Sequence, residues 1–266
     1  MQPHWQARIN ETLQRDYQWQ AFAQGSSNQL FKGINPDAPA LVARINGVNT
    51  LTPGVNRQRE AFLLDELQCY SWAPQVIHNN PEQGWCVMRC YKPLNAKFLT
   101  ATQQQQLLAA IAELQCTQPP NPDGLLTIDY HQLMLESYQS LAMRHNDRDI
   151  LRQIAVFEHE LATLPILPHC LVHHDLHIGN LATTPLHLHE HVIILDWEYG
   201  GLGNAWFDLA ALQRFLNIPL KHLIKLPAVR RLSDKDFHNG IRSAIQLSET
   251  IDALWYWARA INHRNK

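Results

Sequence analysis

Charge is scarce in this chain. Asp, Glu, Lys and Arg make up 17% of its 266 residues, and 22 basic against 24 acidic side chains leave a formal net charge of −2. A balance that close to neutral offers no basic field to DNA, RNA or anionic lipid, so nucleic acid is not an expected partner. Long apolar runs are missing too. Nothing approaches the ~18–20 consecutive residues that span a bilayer, which argues against membrane insertion. The opening Met1-Gln2-Pro3-His4-Trp5-Gln6 has neither the basic nor the apolar region of a secretory signal. Five cysteines (69, 86, 90, 116 and 170) are an odd number with no C-x-x-C pair among them. They read as reduced thiols in a cytoplasmic protein. What is abundant is apolar material, 45% of the chain. That is enough for a sizeable core, as one large domain or two lobes.

The texture changes along the chain. Trp5, Ile9, Leu13 and Tyr17 recur every fourth residue and predict an opening amphipathic helix. Short apolar runs follow at Ala21–Ala23, Gln29–Phe31 and Ala40–Ala43, separated by Gly25-Ser26-Ser27-Asn28 and Asn35-Pro36-Asp37. This is the pattern of a three-strand meander. Residues 55–69 read as a helix, and Val76-Ile77 and Trp85–Met88 as two further strands around the turn at Asn79-Asn80-Pro81-Glu82. Beyond Tyr91-Lys92-Pro93 the pattern is helical, with Leu107, Ala110, Ile111 and Leu114 on one stripe and further helices near 133–141 and 150–164. The expected organisation is a small β-rich lobe over residues 1–90 and a larger, mainly helical lobe over 91–266.

Two segments carry chemistry. His173-His174-Asp175-Leu176-His177-Ile178-Gly179-Asn180 has the form H-x-D-x-x-x-x-N, and Ile193-Ile194-Leu195-Asp196-Trp197-Glu198 is an apolar run ending in an acid. A carboxylate and an amide five positions apart can turn inward from one loop. A further carboxylate delivered by a separate strand completes a set of oxygen ligands suited to a hard cation. Phosphoryl transfer from ATP needs such a trio, a loop carboxylate to take the proton of the accepting hydroxyl and an amide and a later carboxylate for the cation.

The stretch from His173 to Leu209, including Asp196-Trp197-Glu198-Tyr199-Gly200-Gly201 and Phe207-Asp208-Leu209-Ala210, resembles the aminoglycoside phosphotransferase and choline kinase superfamily. Its wording is most similar to bacterial choline kinases and thiamine kinases. The resemblance implies an α+β, protein-kinase-like bilobal fold and transfer of the ATP γ-phosphate to a small-molecule hydroxyl. It implies Asp175 as catalytic base, His173 as support for its loop, and Asn180 and Asp196 as Mg²⁺ ligands. Glu198 then helps to bind a second Mg²⁺ or the substrate, or serves structure alone.

Upstream, the chain departs from the protein-kinase pattern. The phosphate-covering loop expected between the first two strands contains one glycine, leaving backbone N–H groups and the hydroxyls of Ser26 and Ser27 to cradle phosphate. Where the third strand would end in a phosphate-binding lysine stands Arg44, which keeps the charge but changes the geometry. Lys32 is its rival, and Glu60 on the following helix is placed to pair with Arg44. Arg44-Ile45-Asn46-Gly47 and Asn56-Arg57-x-x-Glu60 are again similar to bacterial choline kinases. Met88, Arg89 and Cys90 correspond to the hinge whose backbone would meet adenine.

Choline and thiamine are cations with a primary hydroxyl, and aromatic faces with a carboxylate are the natural receptacle for such a head group. Trp197, Tyr199 and Trp206, with Asp252 and Trp255 in Asp252-Ala253-Leu254-Trp255-Tyr256-Trp257, are the candidates, although aromatic stripes at helical spacing also build cores. An aminoglycoside or another amino alcohol or sugar is the alternative acceptor. Seven histidines between His169 and His191 admit another class, a metal-dependent hydrolase using His173, Asp175 and His177. A catalytically silent binding module on the same fold is the remaining option.

Overall fold

The structure, a computed structural model, describes residues 4–24, 28–47, 53–95, 97–184 and 190–264. Ser26 and Ser27, and the His187-Leu188-His189 part of the histidine-rich stretch, lie outside the described residues.

The N-terminal lobe is a five-stranded antiparallel sheet. Its strands β1 (Gln18–Gln24), β2 (Asn28–Asn35), β3 (Ala38–Asn46), β4 (Val76–Asn80) and β5 (Trp85–Arg89) lie in the order β1-β2-β3-β5-β4. Strand periodicity divides its two faces. Leu41 and Ala43 on β3, with Trp85 and Val87 on β5, form a small core closed by Trp5 and Ile9 of helix α1 (Trp5–Leu13). Trp5 and Ile9 are one turn apart and therefore share a helix face. The helix stops before Tyr17, because Gln14 is left-handed at φ 51°, but Tyr17 still packs into the same core. Arg44 and Cys86 are paired across β3 and β5 and face the other way, toward helix α2 (Arg57–Glu66). Gly33 is required where it stands, since a Cβ there would meet the Trp19 ring at 2.6 Å.

The larger lobe is helical. Helix α3 (Ala101–Cys116) starts at a Thr100–Gln103 capping box and buries Leu107, Ala110, Ile111 and Leu114, as their spacing predicts. Residues Tyr130–Leu133 (α4) and Ser140–Arg144 (α5) are joined by a π-helical turn over Met134–Gln139. Helix α6 (Arg148–Thr163), helix α7 (Ala205–Arg214), the short α8 (Leu220–Leu223) and the long α9 (Asp234–Arg264) complete it. Helix α7 is buried almost throughout, which its composition fits, and α9 packs along it.

Five short strands frame the motif loops. Strand β7 (Cys170–Val172) leads into the 173–180 loop and β8 (Leu181–Thr183) leaves it; β9 (Val192–Ile194) leads into the 195–200 turn and β10 (Gly201–Gly203) leaves that. β7 pairs with β10, and β8 with β9 and with β6 (Lys92–Pro93), all antiparallel. Crosswise pairing of entry and exit strands brings the two loops to one edge. No described helix is long and apolar enough to cross a membrane.

Candidate active site

One backbone residue locks the two loops together. The N–H of Leu195 donates to the Asn180 carbonyl at 2.8 Å, and the Leu195 carbonyl is bonded to His173 Nε2 at 2.8 Å. Because Asp175 N–H donates to His173 Nδ1 (3.2 Å), the ring is neutral with its proton on Nε2. Burial pushes the His173 pKa down to about 4, although nearby Asp175 and the Leu195 carbonyl pull it up. His173 is fully buried, with its ring edge-on to Trp197. It braces the loop and has no path to a substrate proton.

Behind it, Asp208 on the first turn of α7 accepts the backbone N–H groups of His173 and His174, each at 2.8 Å. Burial raises the Asp208 carboxyl to about 6 against the pull of those two donors. His174 adopts φ 66°, the left-handed conformation that non-glycine residues use sparingly and chiefly at functional sites. Its Nδ1 donates to the Tyr199 carbonyl (3.1 Å), and Nε2 accepts from the Tyr130 hydroxyl (2.6 Å). Sequence reasoning quoted Asp208 without giving it a task and passed over His174 and Tyr130. Their partners are 34 and 44 residues away in the chain, so no local spacing reveals them.

Asp175 is about a third exposed. Asn180 Nδ2 donates to both its Oδ2 (2.8 Å) and its carbonyl (2.9 Å), and His177 Nε2 stands 3.7 Å from Oδ2. Burial pushes this carboxyl up, but His177, His173 and Asn180 together outweigh it and hold it below the ordinary range. With both amide hydrogens of Asn180 directed at Asp175, its carbonyl oxygen is the atom left to meet a cation. Asp196, at φ 60°, lies across the cleft. Its Oδ1 is buried with no hydrogen-bond partner among the described residues, and Arg44 Nη1 is 3.8 Å away. Burial, followed by the Glu198 charge, raises this carboxyl to about 7 despite Arg44. An orphaned carboxylate oxygen and an amide oxygen left without a donor are ligands that suit a hard cation such as Mg²⁺.

On the N-terminal lobe, Arg44 and Glu60 meet fork to fork. Nη1 bonds Oε1, and Nη2 bonds Oε2 at 2.8 Å, with Arg44 4% and Glu60 1% exposed. Burial opposes both charges, yet each partner's attraction prevails, raising the arginine and lowering the carboxyl. Lys32 on β2 is paired with Val42, on the sheet face that carries Arg44, and is close enough to Cys90 to act on its thiol. The Cys90 N–H is already committed to the Ala40 carbonyl (3.1 Å) and cannot serve adenine as placed. Met88 lies mid-sheet between Val42 and Val76 and is partly buried.

Glu198 is 4% exposed and engaged from the other lobe, by Arg57 Nη2 at 2.9 Å and Asn28 Nδ2 at 3.1 Å. The aromatic candidates divide. Trp197 and Trp206 are core: Trp197 donates Nε1 to the Ile194 carbonyl and Trp206 to the Pro165 carbonyl, both essentially inaccessible. A cage needs an open ring face, which neither has. Tyr199 and Trp255 are partly exposed, and Asp252 lies within electrostatic reach of Asp175. Arg214 holds Asp252 at 3.1 Å, and Arg259 occupies one face of Trp255, 4.4 Å from its centroid. The hydrolase alternative finds no support in the geometry. Among the described residues no group of three or more His, Cys, Asp or Glu could hold a metal ion.

A strand-rich lobe and a helical one, with the two motif loops brought to one edge, make a protein-kinase-like bilobal fold. Residues 18–231 match the phosphotransferase enzyme family, and the chain belongs to it. The choline kinase LicA from Streptococcus pneumoniae superposes with a TM-score of 0.71 at 19% identity, over 98% of this chain and 92% of that one. LicA in complex with AMP gives 0.70, also at 19% identity, over 97% and 89%. A thermostable mutant of an aminoglycoside phosphotransferase in its apo form gives 0.63 at 13% identity, over 97% and 93%. Among curated proteins none matches. Membership of that family makes the protein a phosphotransferase.

Proposed function

We propose that this phosphotransferase moves the γ-phosphate of ATP, with Mg²⁺, to the hydroxyl of a small cationic alcohol such as thiamine or choline, in the cytoplasm. The observation that carries the reading is the orphaned, buried Oδ1 of Asp196, with the Asn180 side-chain amide turned by its N–H groups toward Asp175 so that its oxygen is left for a ligand. These two side chains would hold Mg²⁺, which when bound neutralises phosphate charge.

Asp175, held ionised, is acceptor-only and orients the incoming hydroxyl. The hydroxyl oxygen bonds to the γ-phosphorus as the bridge to the β-phosphate breaks, ADP departs, and the proton passes to Asp175. A carboxylate with a depressed pKa is a weak base, so the proton moves late, when the alcohol oxygen has become acidic through bonding. Arg44, fixed by Glu60, presents positive charge to the phosphates; His173 and Asp208 hold the loop. Hinge backbone near Met88 and Cys90, and Ser26 and Ser27, complete the nucleotide side of the proposal.

Tyr199, Trp255 and Asp252 form the proposed acceptor wall. A cation there meets a carboxylate and aromatic faces, and the cation already seated on Trp255, Arg259, is an internal example of the same attraction. The test is ADP release from ATP and Mg²⁺ with thiamine, choline, ethanolamine and an aminoglycoside in turn. Turnover of a cationic alcohol supports the reading; turnover of the aminoglycoside alone moves the acceptor to the alternative class, and silence with all four from a folded protein removes it.

A further inference from the structure

Two buried carboxylates from different lobes share one guanidinium. Arg57, on the first turn of α2, donates through Nη1 to Glu60 Oε2 at 2.9 Å. Its Nη2 reaches Asn28 Oδ1 and Glu198 Oε2, both at 2.9 Å, and Asn28 Nδ2 closes the triangle on that same Glu198 oxygen. Glu60 and Glu198 are 1% and 4% exposed, and Asn28 is 8% exposed. Asn28 opens β2, Glu60 fixes Arg44 on the nucleotide side, and Glu198 lies two residues beyond Asp196 and next to Tyr199.

We propose that Arg57 is a positioning residue, an interlobe latch that assembles the phosphate-facing pair and the 196–199 turn as one unit, and that Glu198 serves this latch rather than a cation or substrate. The inference deepens the phosphotransfer reading and rests on it for its consequence in turnover. Charge arithmetic supports it. Without Arg57, Glu60 keeps Arg44 as a partner, but Glu198 is left buried with only an amide, a state that costs far more than the pair gains. Geometry supports it too. Three acceptors on three elements are met by two adjacent nitrogens in one plane, which a lysine's single ammonium on a flexible stem does not reproduce. Without that contact the turn carrying Asp196 keeps only the Asn28 amide and the 3.8 Å approach of Arg44 as polar ties to the N-terminal lobe, and a displacement of ~1 Å at a reacting centre costs about 10²-fold in rate.

The experiment compares wild type with Arg57→Ala, Arg57→Lys, Glu198→Gln and the Arg57→Ala/Glu198→Gln double variant. Arg152→Ala is the control, since it removes only an exposed pair with Asp149. Hydrogen exchange of backbone amides is read at the start of β2 and across 199–203, with no acceptor present. Turnover and the Michaelis constant for ATP are read at low and high Mg²⁺. The latch predicts faster exchange in both segments for Arg57→Ala and for Glu198→Gln but not for Arg152→Ala. It predicts a rate loss of about 10²-fold, partial rescue by lysine, and a double variant no worse than either single one. High Mg²⁺ restores nothing.

Exchange changes confined to α2, or losses that multiply in the double variant, overturn it. Recovery of Glu198→Gln alone at high Mg²⁺ also overturns it, by making Glu198 a metal ligand. Should Arg57→Ala not fold, Arg57→Lys and Asn28→Ala carry the same comparison. The exchange readout needs no turnover, so a latch that persists in a protein phosphorylating nothing on the panel separates failure of the functional reading from failure of this one.

Discussion

The imidazole of His173 donates to the carbonyl of Leu195 at 2.8 Å, which makes the loop carrying Asp175 and the turn carrying Asp196 a single rigid body. Two oxygen-bearing side chains that must act on one phosphate are thereby spaced by a buried ring rather than by flexible chain.

That bond has a cost in acid. The unfolded imidazole titrates near its ordinary value of 6.5 and the folded one is pushed down to about 4, because burial excludes the charged form. The stability that the neutral ring contributes is therefore fully present above pH 6.5 and is lost as pH falls toward 4. In His173→Gln, which keeps a donor for Leu195 but cannot titrate, this loss is absent. The stability gap between wild type and variant should narrow by about 2 kcal/mol from pH 7.5 to 5.0 in denaturant unfolding. A gap that stays constant would mean the ring does not have to remain neutral.

Arg44 and Glu60 should behave as one unit. Arg44→Ala and Glu60→Ala are each expected to raise the Michaelis constant for ATP and to lower turnover, with the double variant little worse than either. Removing the arginine leaves a buried carboxylate that Arg57 alone must hold; removing the glutamate frees both guanidinium nitrogens that it fixes. Steady-state kinetics on the three variants decide this, and strict additivity would separate the pair. Lys32→Ala, which leaves the Arg44–Glu60 bonds in place, should change the ATP constant little; a larger defect there would transfer the phosphate contact to Lys32.

The fold and the motif loops were legible where the information is local. Strand alternation on β3 and β5, the four-residue stripe of α3 and the five-residue interval from Asp175 to Asn180 are all short-range patterns, and each has its place in the structure. The latch and the loop's supports were not legible. Asn28 meets Glu198 across 170 residues and Asp208 meets His173 across 35, separations at which a sequence offers residue types but no geometry. Trp197 and Trp206 fail as substrate candidates for a related reason. An indole reads alike in a core and in a cage until its accessible face is known, and both are buried against neighbours from distant segments.

Asp175 and Asp196 should fail in different ways. Asp175→Asn retains the shape of a side chain that Asn180 grips but cannot take a proton. Turnover is expected to fall by about 10²–10⁴-fold with nucleotide affinity nearly unchanged. Asp196→Ala removes the buried oxygen proposed for Mg²⁺ and should weaken Mg·ATP binding along with turnover. Calorimetric titration with a non-hydrolysable ATP analogue, beside turnover, tells them apart. An equal, modest loss in both quantities for both variants would contradict the assignment.

The aromatic residues near the acceptor side give the last test, because burial sorts them into two kinds. Trp206 is fully buried, donates to the Pro165 carbonyl and lies so close to helix α9 that a Cβ on Gly240 would come within 2.3 Å of its ring. Trp206→Ala should therefore cost about 3–5 kcal/mol of stability, the range for deleting a buried aromatic. Its effect on the acceptor's Michaelis constant should follow only from unfolding. Trp255 is partly exposed and carries Arg259 on one face. Its replacement by alanine should change stability much less and raise the Michaelis constant of a cationic acceptor by about 2- to 30-fold, the range of one cation–π contact. The constant for ATP should stay put. Thermal unfolding with kinetics on both substrates measures all of these. If Trp255→Ala left the acceptor constant untouched while Tyr199→Phe or Asp252→Asn raised it, the head group would lie against the tyrosine and the carboxylate alone, and α9 would contribute charge rather than an aromatic face.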